Sequence, residues 1–171
     1  MLWLRIVNTK RGILCLTQTN AQTILARDCV SVVGGGPMSE TTVVEAKRFG
    51  VITCTPQARL REAAQRMTGD DISALVVVDA EGCLTGIITR TDLLRAHVEH
   101  EDWGSRTVAD YMNPDVVTSG LHAPLGEVEK LLLDLHIHRV VAVRPEGDKL
   151  RPMAVISAAD LVYHMVKELE E

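Results

Sequence analysis

The stretch Gly86-Ile87-Ile88-Thr89-Arg90-Thr91-Asp92 decides the fold of this chain. The β-branched and apolar residues before Thr89 predict a short strand, and the apolar-periodic residues after Asp92 predict a helix. Thr89 and Asp92 supply the oxygen atoms that cap a helix N-terminus. Free N–H groups at such a terminus favour a phosphate, and a carboxylate beside it can accept hydrogen bonds from ribose hydroxyls. A single copy of the pattern is interpreted more simply as a helix cap.

The same pattern recurs in the C-terminal half, where residues 153–160 read Met-Ala-Val-Ile-Ser-Ala-Ala-Asp. Ser157 lies 68 positions after Thr89, and Asp160 lies 68 positions after Asp92. A helix cap does not require that both the hydroxyl and the carboxylate recur in register. The recurrence therefore indicates an internal repeat with two sites of the same kind.

The composition predicts a globular protein with an aliphatic core, because 46% of the 171 residues are hydrophobic and only 3% are aromatic. The net charge is −5, divided into +3 for residues 1–37 and −8 for the remainder. This acidic body makes nucleic acid an improbable principal partner, since phosphate-backbone binding needs clustered Lys and Arg. No apolar run approaches the roughly 20 residues of a membrane helix, so no membrane partner is predicted.

The four cysteines, Cys15, Cys29, Cys54 and Cys83, lie far apart and form no C-x-x-C pair. Free thiols in a reducing compartment are the better interpretation, which predicts a cytoplasmic protein. Residues 1–37 differ from the rest in charge and end in the breaker cluster Gly34-Gly35-Gly36-Pro37. Two interpretations of this leader stay open: translated upstream sequence before a true start at Met38, or a flexible N-terminal arm.

The first repeat unit predicts the element order β-α-β-β-α. Its strand at 51–54 precedes a helix whose apolar stripe is Leu60, Ala63, Ala64 and Met67. The apolar run 72–78 then predicts a strand buried on both faces, and residues 79–82 predict a hairpin turn into the strand that ends at Thr89.

The second unit repeats this order at a constant offset. Three predicted elements each lie 65 positions after their counterparts: strand 116–118, the helix with Leu125, Val128 and Leu132, and strand 137–143. After the hairpin the offset is 68, which predicts three extra residues near positions 148–150.

The chain resembles a tandem pair of CBS domains, the regulatory unit called a Bateman module. The resemblance covers roughly residues 45–169 and rests on the motifs 51–56, 73–79 with Gly82, and 86–92, and on 108–112 with 116–118, 138–143 and 155–160. The second unit departs from the pattern at two places. Ala154 stands where the first unit has Gly86, and Arg144-Pro145 stands where it has Asp79-Ala80. The resemblance implies an α/β (α+β) fold of two β-α-β-β-α units, 45–104 and 105–171, packed about a pseudo-twofold axis.

The resemblance also implies two clefts between the units that bind adenosyl ligands. In the first, Thr89, His138 and Arg139 would contact the phosphate, and Asp92 would bind the ribose. The base would be surrounded by Ile87, Val116, Val117 and Ile137. The second would be formed by Ser157, Asp160, Val155, Ile72, Ser73 and Ala74, together with the lead-in before Val51.

The predicted function is a stand-alone regulatory module that binds AMP, ADP, ATP or S-adenosylmethionine, senses energy state and relays this to an unknown effector protein. The alternative is an assembly module that binds no ligand. No catalytic residue set, metal site or covalent cofactor is predicted, and His97, His100 and Glu101 are interpreted as a solvated helix end. A homodimer is predicted from the apolar helix residues Leu93, Leu94, Val98, Leu161, Val162, Met165, Val166 and Leu169.

Overall fold

The computed structural model describes residues 3–9, 12–18, 41–46 and 50–170. Near the N-terminus, β1 (Trp3–Thr9) and β2 (Gly12–Gln18) pair in antiparallel register. The rest of the predicted leader, residues 1–37, lies outside the described residues, so both interpretations of that leader stay predictions. The unit boundaries 45–104 and 105–171 likewise stay predictions.

The two repeats have the predicted mixed α/β architecture. α1 (Val43–Ala46) precedes the first repeat, whose elements are β3 (Thr53–Cys54), α2 (Leu60–Gly69), β4 (Ala74–Val78), β5 (Leu84–Thr89) and α3 (Arg90–Glu99). In the second they are β6 (Thr118–Gly120), α4 (Leu125–Asp134), β7 (Arg139–Glu146), β8 (Lys149–Ser157) and α5 (Ala158–Leu169). Each repeat forms a three-stranded sheet with one parallel and one antiparallel pairing, in the orders β3-β4-β5 and β6-β7-β8.

The hairpins differ as the change of offset predicts. In the first, the Asp79 carboxylate accepts the N–H groups of Glu81 and Cys83 at 3.0 and 2.9 Å, and Gly82 has a φ of 81° that favours glycine. In the second, pairing continues outward to Glu146 and Lys149. The three inserted residues therefore lengthen the β7–β8 hairpin.

Each sheet buries one face beneath the helices of its own repeat. The first of these cores contains Leu60, Ala63, Met67, Leu75, Val77, Ile88, Leu93, Ala96 and Val108. The second contains Val43, Leu125, Val128, Leu132, Val140, Ala142, Ala154, Ile156 and Leu161. The other faces of the two sheets pack against each other through a third cluster built on Val76, Val78, Ile87, Val141 and Val143. Two units thus pack through their sheets about a pseudo-twofold axis.

The segments before each repeat are exchanged between the cores. Val43, which precedes the first repeat, is buried in the second core, and Val108, 65 positions later, is buried in the first. The hydrogen bonds are exchanged in the same way. The Val43 N–H donates to Ala123 O at 3.0 Å, and the Val108 N–H donates to Ala58 O at 2.9 Å. Each core is therefore completed by a segment outside its own β-α-β-β-α unit.

Two shortened chains test this exchange. A chain that begins at Thr41 should unfold at nearly the same urea concentration as the full chain, because the predicted leader is dispensable. A chain that begins at Lys47 loses buried Val43 and its hydrogen bonds, so its free energy of unfolding should fall by about 2 to 4 kcal/mol. Equal stability of the two shortened chains would show that α1 does not complete the second core.

Candidate functional site

Both predicted helix caps form in full. The Thr89 backbone N–H and hydroxyl both donate to Asp92 Oδ2, at 2.8 and 2.6 Å, and the Asp92 N–H returns a longer bond to Thr89 Oγ1 at 3.4 Å. Ser157 and Asp160 reproduce these three bonds at 2.8, 2.7 and 3.4 Å. α3 and α5 therefore begin where the sequence predicts. These capping boxes hold each carboxylate against its strand end.

The strands beneath these caps present alternate residues to the interface between the sheets. Among the predicted ligand residues, Ile87, Val116, Val155 and Ala74 belong to the cluster that joins the sheets. Thr89 is the register partner of Ala74, so their side chains share one face of the first sheet. The predicted polar and apolar groups therefore meet where the sheet interface ends.

Arg139 and Ser157 pair in the same way on the second sheet. We call the rim around Thr89, Asp92 and Arg139 the first cleft, and the rim around Ser157, Asp160 and Ala74 the second cleft. The two clefts are related by the repeat, since each combines a cap of one unit with the first strand residue of the other unit's central strand.

Charged groups of both repeats lie near one another in the first cleft. Partial burial lowers the pKa of the Arg139 guanidinium, the negative charge of Asp92 opposes this shift, and the positive charge of Arg90 adds to it. Arg139 of the second repeat is therefore within electrostatic range of two charged groups of the first. Asp92 is also 3.6 Å from Arg95, and its side chain is 14% exposed.

Three of the apolar residues predicted for the clefts pack elsewhere. Ile72 packs against the first helical core, and Val117 and Ile137 pack against the second. The backbone carbonyl oxygens of Ser73 and His138 accept hydrogen bonds from the N–H groups of Arg90 and Ala158, both at 3.1 Å. These two residues therefore contact the starts of α3 and α5 through their backbone. A ligand role for these five residues stays a prediction.

Arg90 was quoted in the sequence motif but given no role. Its guanidinium donates to Met67 O at 3.3 Å and to the Asp71 carboxylate at 3.4 Å. The signal for its importance was available, since Arg90 stands directly between the two capping residues. Its proximity to Arg139 could not be predicted, because it depends on how the two sheets pack.

The need for glycine at position 86 follows from the close approach of the linker that connects the two repeats. Asn113 exchanges two backbone hydrogen bonds with Ile87, at 2.8 and 2.9 Å, so this linker runs along the edge of β5. A Cβ at Gly86 would lie 2.9 Å from Met112 Sδ and 3.1 Å from Asn113 O. Glycine is needed at this position for close approach of the linker, whereas Ala154 at the equivalent position is buried in the second core.

Other chemical groups in the described part of the chain offer less. Asp79, Glu81 and Cys83 lie close enough to share a metal ion, but the Lys149 ammonium is 2.8 Å from both carboxylates and offsets half of their negative charge. Burial raises the pKa of the Cys54 thiol to about 11, so this thiol stays protonated at neutral pH.

Two surface depressions, of about 440 and 320 Å³, lie beside α2. The larger is mainly apolar, and Cys54 lines the smaller. His97 packs edge-on against Trp103. Among the described helices, none combines the length and apolar character needed to cross a membrane.

Comparison with known proteins decides the family. The CBS domain model matches twice, over residues 41–99 and 108–167, which together cover more than half of the sequence. The chain belongs to the CBS-domain family. The two matched segments are hereafter CBS unit 1 and CBS unit 2.

Relatives and solved structures agree with this assignment. Inosine-5′-monophosphate dehydrogenase of Nitrosopumilus maritimus is 33% identical over 126 residues, which is 70% of this chain but only 24% of the dehydrogenase. The CBS domain pair of protein MJ0100, solved with 5′-methylthioadenosine and S-adenosyl-L-methionine, has a TM-score of 0.67 at 24% identity, covering 75% of this chain and 98% of that one. CBSX2 in complex with AMP has a TM-score of 0.64 at 19% identity, covering 74% and 96%.

The capping role of the site residues is testable without a ligand. Thr89→Ala and Ser157→Ala each remove a side-chain cap, so each should lower the free energy of unfolding by about 1 kcal/mol. The matched control is Thr91→Ala, an exposed residue two positions into α3, which should leave stability within about 0.5 kcal/mol. Urea unfolding measures all three, and a neutral Thr89→Ala would show that the capping box contributes nothing.

Proposed function

We propose that this protein is a non-enzymatic regulatory module whose clefts bind an adenosyl ligand, AMP, ADP, ATP or S-adenosylmethionine, and relay this to an effector protein. The observation that carries the proposal is the first cleft, where the cap of one CBS unit faces an arginine of the other. A carboxylate, a hydroxyl at a helix start and a guanidinium are the groups that suit ribose and phosphate. An apolar slot beside them suits a purine.

The compared structures support the class of ligand. The MJ0100 pair and CBSX2 were solved with adenosyl compounds, and both share this fold. The dehydrogenase relative aligns over only 24% of its length, so its catalytic activity is not carried over. We also place the protein in the reducing cytoplasm, which suits the free thiols of Cys54 and Cys83.

Aspartate-to-asparagine variants test ligand binding. Asparagine keeps an oxygen that can cap the helix but removes the charge that would orient a ribose. Asp92→Asn should therefore weaken nucleotide binding at the first cleft by tenfold to a hundredfold, the equivalent of about 1.5 to 3 kcal/mol, with little change in melting of the free protein. Asp160→Asn should do so only if the second cleft is occupied.

Isothermal titration of the parent and both variants with AMP, ADP, ATP and S-adenosylmethionine provides the measurement. Undiminished affinity in both variants, with ligand bound to the parent, would limit the two aspartates to capping. The alternative function, an assembly module without a ligand, predicts no melting shift with any of these compounds. A ligand present at 100 times its dissociation constant stabilises by about 2.7 kcal/mol, which is easily detected.

We further propose that two copies associate through an apolar surface on α3 and α5. Its exposed members are Leu94, Val98, Val162, Met165, Val166 and Leu169. Leu93 and Leu161, which the sequence also assigned to this surface, are buried in the cores of their own repeats. Exposed apolar patches mark interaction sites, and in a symmetric dimer the same patch of each copy meets its counterpart across the twofold axis.

A pair of matched variants tests the dimer. Light scattering of the parent at micromolar concentration should give twice the chain mass of 18.7 kDa. Leu94→Glu should give the monomer mass, because it buries a charge in the dimer interface. Leu133→Glu is the control, since Leu133 on α4 is equally exposed at 66% but lies outside this surface. A parent mass near 19 kDa, or dissociation by both variants alike, would contradict the dimer.

A further inference from the structure

The apolar surface on α3 and α5 differs between its two halves. On α5, four exposed apolar side chains follow the helical spacing i, i+3, i+4 and i+7. We name them the α5 stripe: Val162, Met165, Val166 and Leu169. On α3, exposed Leu94 and Val98 stand at the positions equivalent to the first and third members of this stripe. The equivalents of the second and fourth members are polar, His97 and Glu101.

The structure explains why the stripe is shorter on α3. This helix ends at Glu99, so Glu101 lies beyond it, and exposed His97 packs edge-on against Trp103. The offset of 68 places the equivalent of Glu99 at position 167, but α5 continues to Leu169. The apolar stripe therefore runs to the end of the helix in CBS unit 2 and stops at Val98 in CBS unit 1.

A twofold axis can join two copies of this surface in two ways. In the like arrangement, α5 packs on α5 of the second copy and α3 packs on α3. In the unlike arrangement, α3 of each copy packs on α5 of the other. Both arrangements bury the same helices, so the choice depends on which side chains face one another.

Polar groups of α3 disfavour the unlike arrangement. It would set each α5 stripe against the helix end that carries His97 and Glu101, and it would do so twice in each dimer. A polar group that loses water without gaining a partner opposes association. The like arrangement lets the two stripes cover each other and leaves the polar ends of the two α3 helices beside one another.

Charge on α3 also suits a second copy. Arg95 and Glu99 are both exposed and lie one turn apart. Each has a contact in its own chain, with Asp92 at 3.6 Å and with the Tyr111 hydroxyl at 3.0 Å, yet Arg95 remains 58% exposed. Across a twofold axis, when residue i meets residue j, residue j also meets residue i. Arg95 of each α3 can therefore pair with Glu99 of the other.

We propose that two copies associate in the like arrangement, with the α5 stripe of each CBS unit 2 packed on the α5 stripe of the second copy. This rests on the dimer of the proposed function and adds which half of the surface meets which. The stripe contact supplies most of the affinity, and the smaller α3 contact adds to it. Met165 and Val166 are at the middle of the stripe, so they lie closest to their own counterparts across the axis.

Mixing two charged variants tests the arrangement directly. Met165→Glu and Met165→Lys should each give the monomer mass in light scattering, because each places like charges opposite one another. An equimolar mixture of the two full-length variants should recover twice the chain mass, since glutamate then faces lysine. In the unlike arrangement position 165 faces α3 of the other copy, so the mixture would stay monomeric.

A pair of variants matched by the repeat provides a second measurement. Val98 and Val166 are equivalent, and both are exposed, at 85% and 50%, so glutamate at either position leaves the cores intact. Sedimentation equilibrium should show that Val166→Glu raises the dimer dissociation constant roughly tenfold or more beyond Val98→Glu, because side chains at the centre of an interface contribute most. The unlike arrangement predicts comparable effects, since each contact would contain one residue of each kind.

The outcomes separate this arrangement from the proposals on which it rests. A dimeric parent whose two charged variants stay monomeric when mixed, or equal effects of Val98→Glu and Val166→Glu, would overturn the like arrangement and leave the dimer. A monomeric parent would overturn both and leave the α5 stripe to a different protein. Neither result bears on adenosyl binding, which the nucleotide titration measures independently.

Discussion

Each three-stranded sheet has helices on one face only, and the need to bury its other face determines the rest of the structure. Removing that apolar face from water is favourable, because burial of apolar surface is the dominant driving force of folding. Valines and isoleucines at alternate positions of β4, β5, β7 and β8 meet this need by packing the sheets together. Because the strands are short, the apolar interface ends within a few residues and polar side chains occupy its rim.

The rim residues have two roles that are compatible. Thr89 and Asp92 satisfy the first N–H groups of α3, and the same bonds fix the direction of the carboxylate. A group that is held in place by folding needs no further ordering when a ligand binds, so its contribution to affinity is not reduced by lost entropy. The second CBS unit repeats this preorganised carboxylate with Ser157 and Asp160.

The repeat offset was sufficient to predict the elements of the two repeats, both helix caps and the lengthened second hairpin, because these depend on local sequence. Strand starts were less accurate. The first strand of each unit begins at Thr53 and Thr118, two residues later than predicted, since the paired register with the central strand starts at these residues. The orientations of Ile72, Val117 and Ile137 were not predictable, because strand alternation does not extend to residues before a strand. Likewise, the pairing of Lys149 with Asp79 and the closeness of Arg90 to Arg139 arise only when the sheets pack.

The exchange of Val43 and Val108 between the cores has a consequence for how the chain can be divided. A CBS unit cut out from its own first strand to its last helix would lack the valine that completes its helical core. Two identical copies of one unit, each with its preceding segment, could complete each other in the same reciprocal manner. The protein therefore has the architecture of a domain-swapped dimer whose two subunits have been joined into one polypeptide by the linker between the repeats.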